Sequence, residues 1–362
     1  MKRCLPVLML ILAAWAGGAS GAAASTACST TLIPGSSIAL PTARANGTLC
    51  LSPGRYSGPA ASAAQSEEPA SQPPQSLKVG LNGGLTGWGP AAGETIRDRT
   101  GVRYARLNPL EEGSWSAARE LVGEGITPLV IYDPELTGMS PAAVAEGVQS
   151  FVPLMRELGL TEVELGNEVY LHASTPPEYA AQYAAAHEAL AGDGITLIAD
   201  AATDTPLPDG EWSQWERGGG WCVLLVQELG YVPDAWSFHP YGPMSADGFG
   251  SGEHRSGWAT VPRMLAYMRV DHIYAPLDIT EVGQPTHEGD DGNAAVSEAE
   301  QAADVTQYLT QAAEWGLASI YLYEGIDTPE GGYGLYAWPL RAKPSAAAFA
   351  QTLAGLGSTP DS

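Results

Sequence analysis

Five short polar clusters stand at the ends of apolar runs in this chain. They are Arg106 with Asn108, Gly166-Asn167-Glu168, His239-Pro240-Tyr241-Gly242, Thr280-Glu281-Val282-Gly283 and Tyr323-Glu324. Two clusters place a carboxylate, Glu168 or Glu281, beside residues able to tune it. Cleavage of a glycosidic bond needs such a pair: one carboxyl protonates the departing oxygen, while the other attacks the anomeric carbon or activates a water to do so. The two roles require different proton affinities, set by environment, and a guanidinium such as that of Arg106 beside one carboxylate keeps it ionised. A lone Asn-Glu pair is more often a capping or ion-pairing feature, so the catalytic reading rests on Glu168 and Glu281 together. Glu324 reads equally well as a substrate contact or as support for one.

The elements that must bring these clusters together are short apolar runs alternating with helical patterns. Strand candidates are Leu77–Leu81, Val102–Leu107, Thr127–Tyr132, Glu162–Leu165, Ile195–Asp200, Ala235–His239, Leu277–Glu281 and Ser319–Tyr323. The spacing leaves room for a helix after nearly every one. Ser140-Pro141 caps and opens a helix running to Leu158, and Ser297–Trp315 carries acidic residues in its first turn. Strand–helix alternation implies a parallel sheet, and eight such units over residues 77–355 predict an α/β fold closed as a (β/α)₈ TIM barrel. An open doubly wound sheet is the alternative, but Gly80-Leu81-Asn82-Gly83-Gly84 does not match its phosphate loop. In a barrel all five clusters ring the C-terminal face and share one pocket.

On these segments the chain resembles the clan of retaining (β/α)₈ glycoside hydrolases with catalytic glutamates on strands four and seven, clan A. The matching stretches are Glu164-Leu165-Gly166-Asn167-Glu168, Ser237-Phe238-His239-Pro240-Tyr241-Gly242 and Ile279-Thr280-Glu281-Val282-Gly283. The resemblance implies Glu168 as acid/base and Glu281 as nucleophile. It implies that Asn167 binds the hydroxyl next to the anomeric carbon, that Arg106 and Tyr241 orient Glu281, and that His239 lines the same pocket. Many clan members carry Trp before the Asn-Glu pair, Pro after it and Trp at the end of strand eight; here Gly166, Val169 and the Tyr321–Glu324 segment stand there. The family within the clan is left open, and with it the sugar. β-linked substrates lead; β-glucuronidase-like and α-L-arabinofuranosidase-like activities are alternatives. A uronate would want a second basic residue, for which only Arg103 and Arg255 offer themselves. Among candidate sugar platforms, Trp88, Trp212, Trp215, Trp258 and Trp338, the preferred one is Trp88, which follows the first strand; each of the others is more often a core residue.

Bulk properties narrow the partners. The 362 residues carry 17 basic against 41 acidic side chains, a net charge of −24; such a surface repels phosphate backbones and anionic lipid, so nucleic acid is excluded as a partner. Lys2-Arg3, the apolar stretch Leu5–Trp15 and Ala22–Ala24 read as a signal peptide over residues 1–24, predicting a secreted, extracellular protein with no membrane association once it is removed. Residues 25–57 read as a small β-rich segment with a Cys28–Cys50 disulfide as the default pairing, and a lipid anchor on Cys28 as the rival. Residues 58–76 form an Ala/Ser/Pro linker, and 356–362 a tail. Cys222 is expected to be a buried thiol. His172, His187, His239, His254, His272 and His287 form no metal-ligand pattern, so neither metal nor other cofactor is expected. The competing class is a non-catalytic carbohydrate-binding protein on the same barrel.

Overall fold

The computed structural model describes residues 41–45, 48–51, 76–83, 90–110, 114–169, 174–200, 219–241, 257–287, 294–328 and 331–357. Outside them lie the expected signal peptide, Cys28, the linker up to Gln75, Trp88, Trp212, Trp215, Arg255 and residues 358–362. The chain divides into two units, Met1–Ala63 and Ala64–Ser362. In the first, β1 (Pro41–Ala45) pairs antiparallel with β2 (Thr48–Leu51). The two residues between them in sequence are Asn46-Gly47, the dipeptide that two-residue hairpin loops favour.

In the second unit eight parallel strands close on themselves: β3 (Lys78–Asn82), β4 (Tyr104–Leu107), β5 (Thr127–Tyr132), β6 (Glu162–Leu165), β7 (Thr196–Asp200), β8 (Ala235–Phe238), β9 (Leu277–Val282) and β10 (Ser319–Tyr323), with β10 pairing both β9 and β3. The expected barrel is present, and its strands fall within two residues of the expected bounds. Helices α1 (Pro90–Thr100), α2 (Ser114–Gly123), α3 (Pro141–Leu158), α4 (Pro176–Ala189), α5 (Gly219–Leu229), α6 (Val261–Val270) and α7 (Glu298–Trp315) separate the strands, and α8 (Pro344–Leu356) follows the last, after the short pair β11 (Tyr336–Ala337) and β12 (Arg341–Ala342). Local chemistry sets several ends. Ser140 accepts from the Ala143 amide and Pro141 fills the first turn, while Gly159 closes α3 in the left-handed region. Ser297 and Glu300 form a reciprocal capping box on α7. Among the described residues no helix is long and apolar enough to cross a membrane.

Alternation along the strands separates two cores. Outward residues such as Val130, Val163, Leu165, Leu197, Trp236, Ile279 and Leu322 pack with Val148, Phe151, Tyr179, Leu309 and Phe349 from the helix ring. Inward residues Leu129, Ile198, Ala235 and Tyr321 fill the lumen, with Tyr104 against them. Gly80 has no side chain because the Tyr321 ring occupies its space: a Cβ there would stand 2.5 Å from the ring. Cys222, on α5, is a buried free thiol.

One irregularity bears on the chemistry. Ile320 of β10 pairs with Ile279 of β9, yet Leu322 pairs with Val282, so β9 carries one extra residue between those rungs. A bulge of this kind breaks the two-residue period of the pleat.

Candidate active site

Glu168 stands on a turn held in a demanding conformation. Beyond β6, Gly166 has φ 83° and Glu168 itself has φ 48°. A side chain at Gly166 would also collide with Val169, whose Cγ1 would lie 2.2 Å from the added Cβ. The left-handed conformation of a non-glycine residue costs about 1–2 kcal/mol. It is held by its neighbours: the Val169 amide donates to Asp200 Oδ2 at 2.7 Å. Tyr179 in turn ties β6 to β7, donating its hydroxyl to the Leu165 carbonyl and accepting from the Asp200 amide.

Glu281 reaches the pocket through the bulge. Thr280 faces the barrel axis, so regular alternation would turn Glu281 outward towards the helices. The extra residue in β9 lets both face the site. Arg106, fully buried, then binds three partners at once: Nε donates to Glu164 at 2.6 Å, Nη1 to Glu281 at 2.5 Å and Nη2 to Asn167 Oδ1 at 2.7 Å. Tyr241 donates to the other Glu281 oxygen at 2.9 Å. Tyr241 is itself braced by edge-on contacts with Tyr323 and Tyr333. Gly283 permits that packing, because a Cβ there would stand 2.3 Å from the Tyr323 carbonyl oxygen.

His239 links the two carboxylates. Its Nδ1 lies 3.0 Å from Glu168 Oε1 and 3.7 Å from Glu281 Oε2, and its Nε2 lies 2.9 Å from Thr280 Oγ1. Thr280 donates to Glu164 Oε1 at 3.0 Å. Its one proton is thus committed, and its oxygen accepts from Nε2–H. That assignment leaves Nδ1 to share a proton with Glu168. Burial pulls the imidazole pKa down, but the charges of Glu281 and Glu168 outweigh it and raise it to about 9. Burial likewise raises Glu281, and His239, Arg106 and the Tyr241 hydroxyl more than offset that, holding it below the usual carboxylate range.

A stability test follows from His239. A pKa raised on folding stabilises fully below the unfolded value near 6.5 and is lost as pH rises through about 9. The wild type is expected to lose about 3 kcal/mol across that window relative to His239→Asn, from 1.36 kcal/mol per unit. Urea unfolding at pH 6, 7.5 and 9.5 measures it; parallel pH dependence in both proteins would remove His239 as the source.

Arg106, Asn167, Glu168, His239, Tyr241 and Glu281 thus converge as expected. One oxygen of Glu168 and one of Glu281 lie within 4.8 Å of each other, with His239 between them. These three could supply donors to a cation, but Arg106 already places a fixed positive charge on Glu281. Glu324 is buried at the end of β10, where it accepts from the Thr328 hydroxyl at 2.9 Å. Trp88 falls outside the described residues. Trp258 is fully buried, so its reading as a sugar platform gives way to a core role. Arg103 precedes β4, at the opposite end of the barrel, which removes it as a substrate ligand. A groove of about 660 Å³ lies at that far end, between Arg97, Arg103 and Glu124, away from the carboxylates.

Two contributors, both inside stretches already noted, were given no role from the sequence. Glu164 joins Arg106 to Thr280, and Thr280 fixes the His239 ring. The signal was there in Val163-Glu164-Leu165: a charge in the middle of an apolar barrel strand must be buried, and a buried carboxylate needs a cation and donors.

No protein-family model matches the sequence, and no curated protein matches it. Solved structures do. A family 17 β-1,3-glucanosyltransferase from Rhizomucor miehei is 13% identical, with 75% of this chain and 97% of that one covered and a TM-score of 0.51. A family 39 β-xylosidase from Caulobacter crescentus is 16% identical, over 78% and 71% of the two chains, with a TM-score of 0.55. A family 128 endo-β-1,3-glucanase from Sorangium cellulosum is 17% identical, over 76% and 98%, with a TM-score of 0.54. All three are glycoside hydrolases, and at these identities the likeness is one of fold.

Proposed function

We propose that this protein is a retaining glycoside hydrolase that cleaves β-linked glycans, with Glu281 as nucleophile and Glu168 as acid/base. The observation that carries this reading is the facing pair of carboxylates. An oxygen of each lies within 4.8 Å of the other, which favours the carboxyl separation of about 5–5.5 Å in a retaining enzyme over the about 6.5–9.5 Å that leaves room for a water in an inverting one. The electrostatics agree. Arg106, His239 and Tyr241 keep Glu281 an anion, as a nucleophile needs, while His239 Nδ1 stands at hydrogen-bond distance from Glu168 and can hand it the proton an acid delivers.

In the first step a Glu281 oxygen forms a bond to the anomeric carbon as the bond to the departing oxygen breaks, and Glu168 delivers its proton to that oxygen. Esterifying Glu281 removes a negative charge close to His239, which lowers the proton affinity of the imidazole, and Glu168 has given its proton to the departing oxygen. Glu168 is thereby left as the carboxylate that the second step requires. It takes a proton from water as the water oxygen attacks the anomeric carbon, and Glu281 leaves as carboxylate. Two inversions retain the configuration. Asn167, held by Arg106 beside both carboxylates, is placed to bond the hydroxyl next to the reacting carbon.

With Arg103 at the far end of the barrel, Arg106 is the one basic side chain among the described residues placed at the carboxylates besides His239, and it is already bound to Glu164, Glu281 and Asn167. That supports a neutral glycan over a uronate. Fold neighbours are named for β-1,3-glucan, for β-xylosides and, in one case, for β-glucuronides, so laminarin, xylan and a uronate polymer come first in the assay. The signal-like N-terminus supports export to meet an extracellular polysaccharide.

The test is reducing-sugar release from laminarin, xylan, mannan, galactan, arabinan and a uronate polymer, with the first-formed anomer read by proton NMR. Release with the β anomer appearing first is expected. The α anomer first would replace retention by inversion. Binding without release on every polymer would move the protein to the carbohydrate-binding class.

A further inference from the structure

Trp338 does not behave like the other described tryptophans. Trp221, Trp236 and Trp258 are fully buried, whereas Trp338 is 61% exposed. It lines a groove of about 570 Å³ together with His287, Asp327 and Thr328, a size within the range of small-molecule sites. The loops that build this groove follow β9 and β10, so it opens on the same end of the barrel as Glu168 and Glu281. Thr328, on its wall, donates to Glu324 at the end of β10.

The walls are built to hold still. Lys343 is buried and donates to Thr286 Oγ1 at 2.9 Å, Asp327 Oδ1 at 2.5 Å and the Gly332 carbonyl at 2.7 Å, clasping the two loops together. Gln301 adds bonds to the carbonyls of Gln284, Gly332 and Tyr333 across the same seam. Charge is balanced inside the groove: Asp327 is neutralised by Lys343, and Arg341 by Glu298 at 2.6 Å. A fixed groove with an aromatic face, an imidazole, a hydroxyl and no net field suits a neutral polyol. The apolar face of a sugar ring stacks on the indole while its hydroxyls meet the polar rim.

We infer that this groove is a distal glycan subsite in which Trp338 stacks a neutral sugar ring of the chain whose other end lies between Glu168 and Glu281. The inference rests on the glycosidase reading for the identity of the ligand. Its test does not depend on turnover.

Native electrophoresis through gels containing laminarin, xylan or mannan reports binding for the wild type and for Trp338→Ala and Trp338→Phe. Retardation in at least one gel is expected. Trp338→Ala should weaken it about tenfold in apparent affinity, the equivalent of about 1.4 kcal/mol. Trp338→Phe should keep most of it. Circular dichroism establishes that each variant is folded. Equal retardation with and without Trp338, or retardation in none of the gels, overturns the subsite. Trp338-dependent retardation with no sugar release from any polymer would leave the subsite standing and remove the glycosidase reading instead.

Discussion

Glu281→Gln is expected to lower kcat by at least about 10⁴-fold while leaving the protein folded, since a carboxamide cannot form the ester on which the second step depends. The geometry explains why folding survives. The Gln oxygen can accept from Arg106 Nη1, and its amide can donate to the Tyr241 hydroxyl, which turns from donor to acceptor. Arg106 keeps Glu164 as its counter-ion, so no buried charge is orphaned. The same change removes the largest influence raising His239, the charge of Glu281. The extra stability of the wild type below pH 9 should therefore shrink in the variant. Turnover on the substrate found by polymer screening measures the first effect, and urea unfolding at pH 6 and 9.5 the second. A rate within tenfold of wild type would remove Glu281 as nucleophile. A collapsed melting transition would mean that the carboxylate is structural first.

The barrel was readable from residue order because it rests on local rules. Strand–helix alternation dictates the parallel sheet, and closure puts every strand end on one face. Caps at Ser140 and Ser297 are written in four residues. The position of Glu281 was readable only by accident of pattern. Two-residue alternation would send it outward, and what turns it inward is a register slip against β10, a property of the pairing between two strands. Glu164 was passed over for a similar reason: its partners Arg106 and Thr280 lie on other strands, and only closure brings them together. The tryptophans divide as the bland reading held for Trp258 and not for Trp338. Indole composition is equally compatible with core and surface, and the decision belongs to loops whose course no local pattern sets.

Replacing Glu168 separates chemistry from strain in one site. Glu168→Ala is expected to lower kcat on a glycan by about 10²–10⁴-fold, the usual worth of a positioned proton donor. The loss should depend on the leaving group. An aryl glycoside whose phenol departs without protonation needs no acid in the first step, so that step should proceed near its normal rate. The second step still lacks its base, and the glycosyl ester on Glu281 should accumulate as a burst. A small anionic nucleophile such as azide, which needs no deprotonation, should then restore turnover and give a β-glycosyl azide. Loss of equal size on every leaving group, with no azide product, would assign Glu168 to binding. Stability reports on the turn independently. Glu168 holds φ 48°, a conformation that costs about 1–2 kcal/mol for any side chain and nothing for glycine. Ala and Gly remove the same carboxylate and leave His239 with the same vacancy, so their difference isolates the backbone. The flexibility glycine adds to the unfolded chain takes back about 0.4–1 kcal/mol. Glu168→Gly should therefore be as stable as Glu168→Ala or more so, by up to about 1.6 kcal/mol. An alanine variant clearly the more stable of the two would mean that the turn relaxes once the carboxylate is gone. The left-handed backbone would then be a consequence of the hydrogen bond to His239, and the Val169–Asp200 clasp would not be what imposes it.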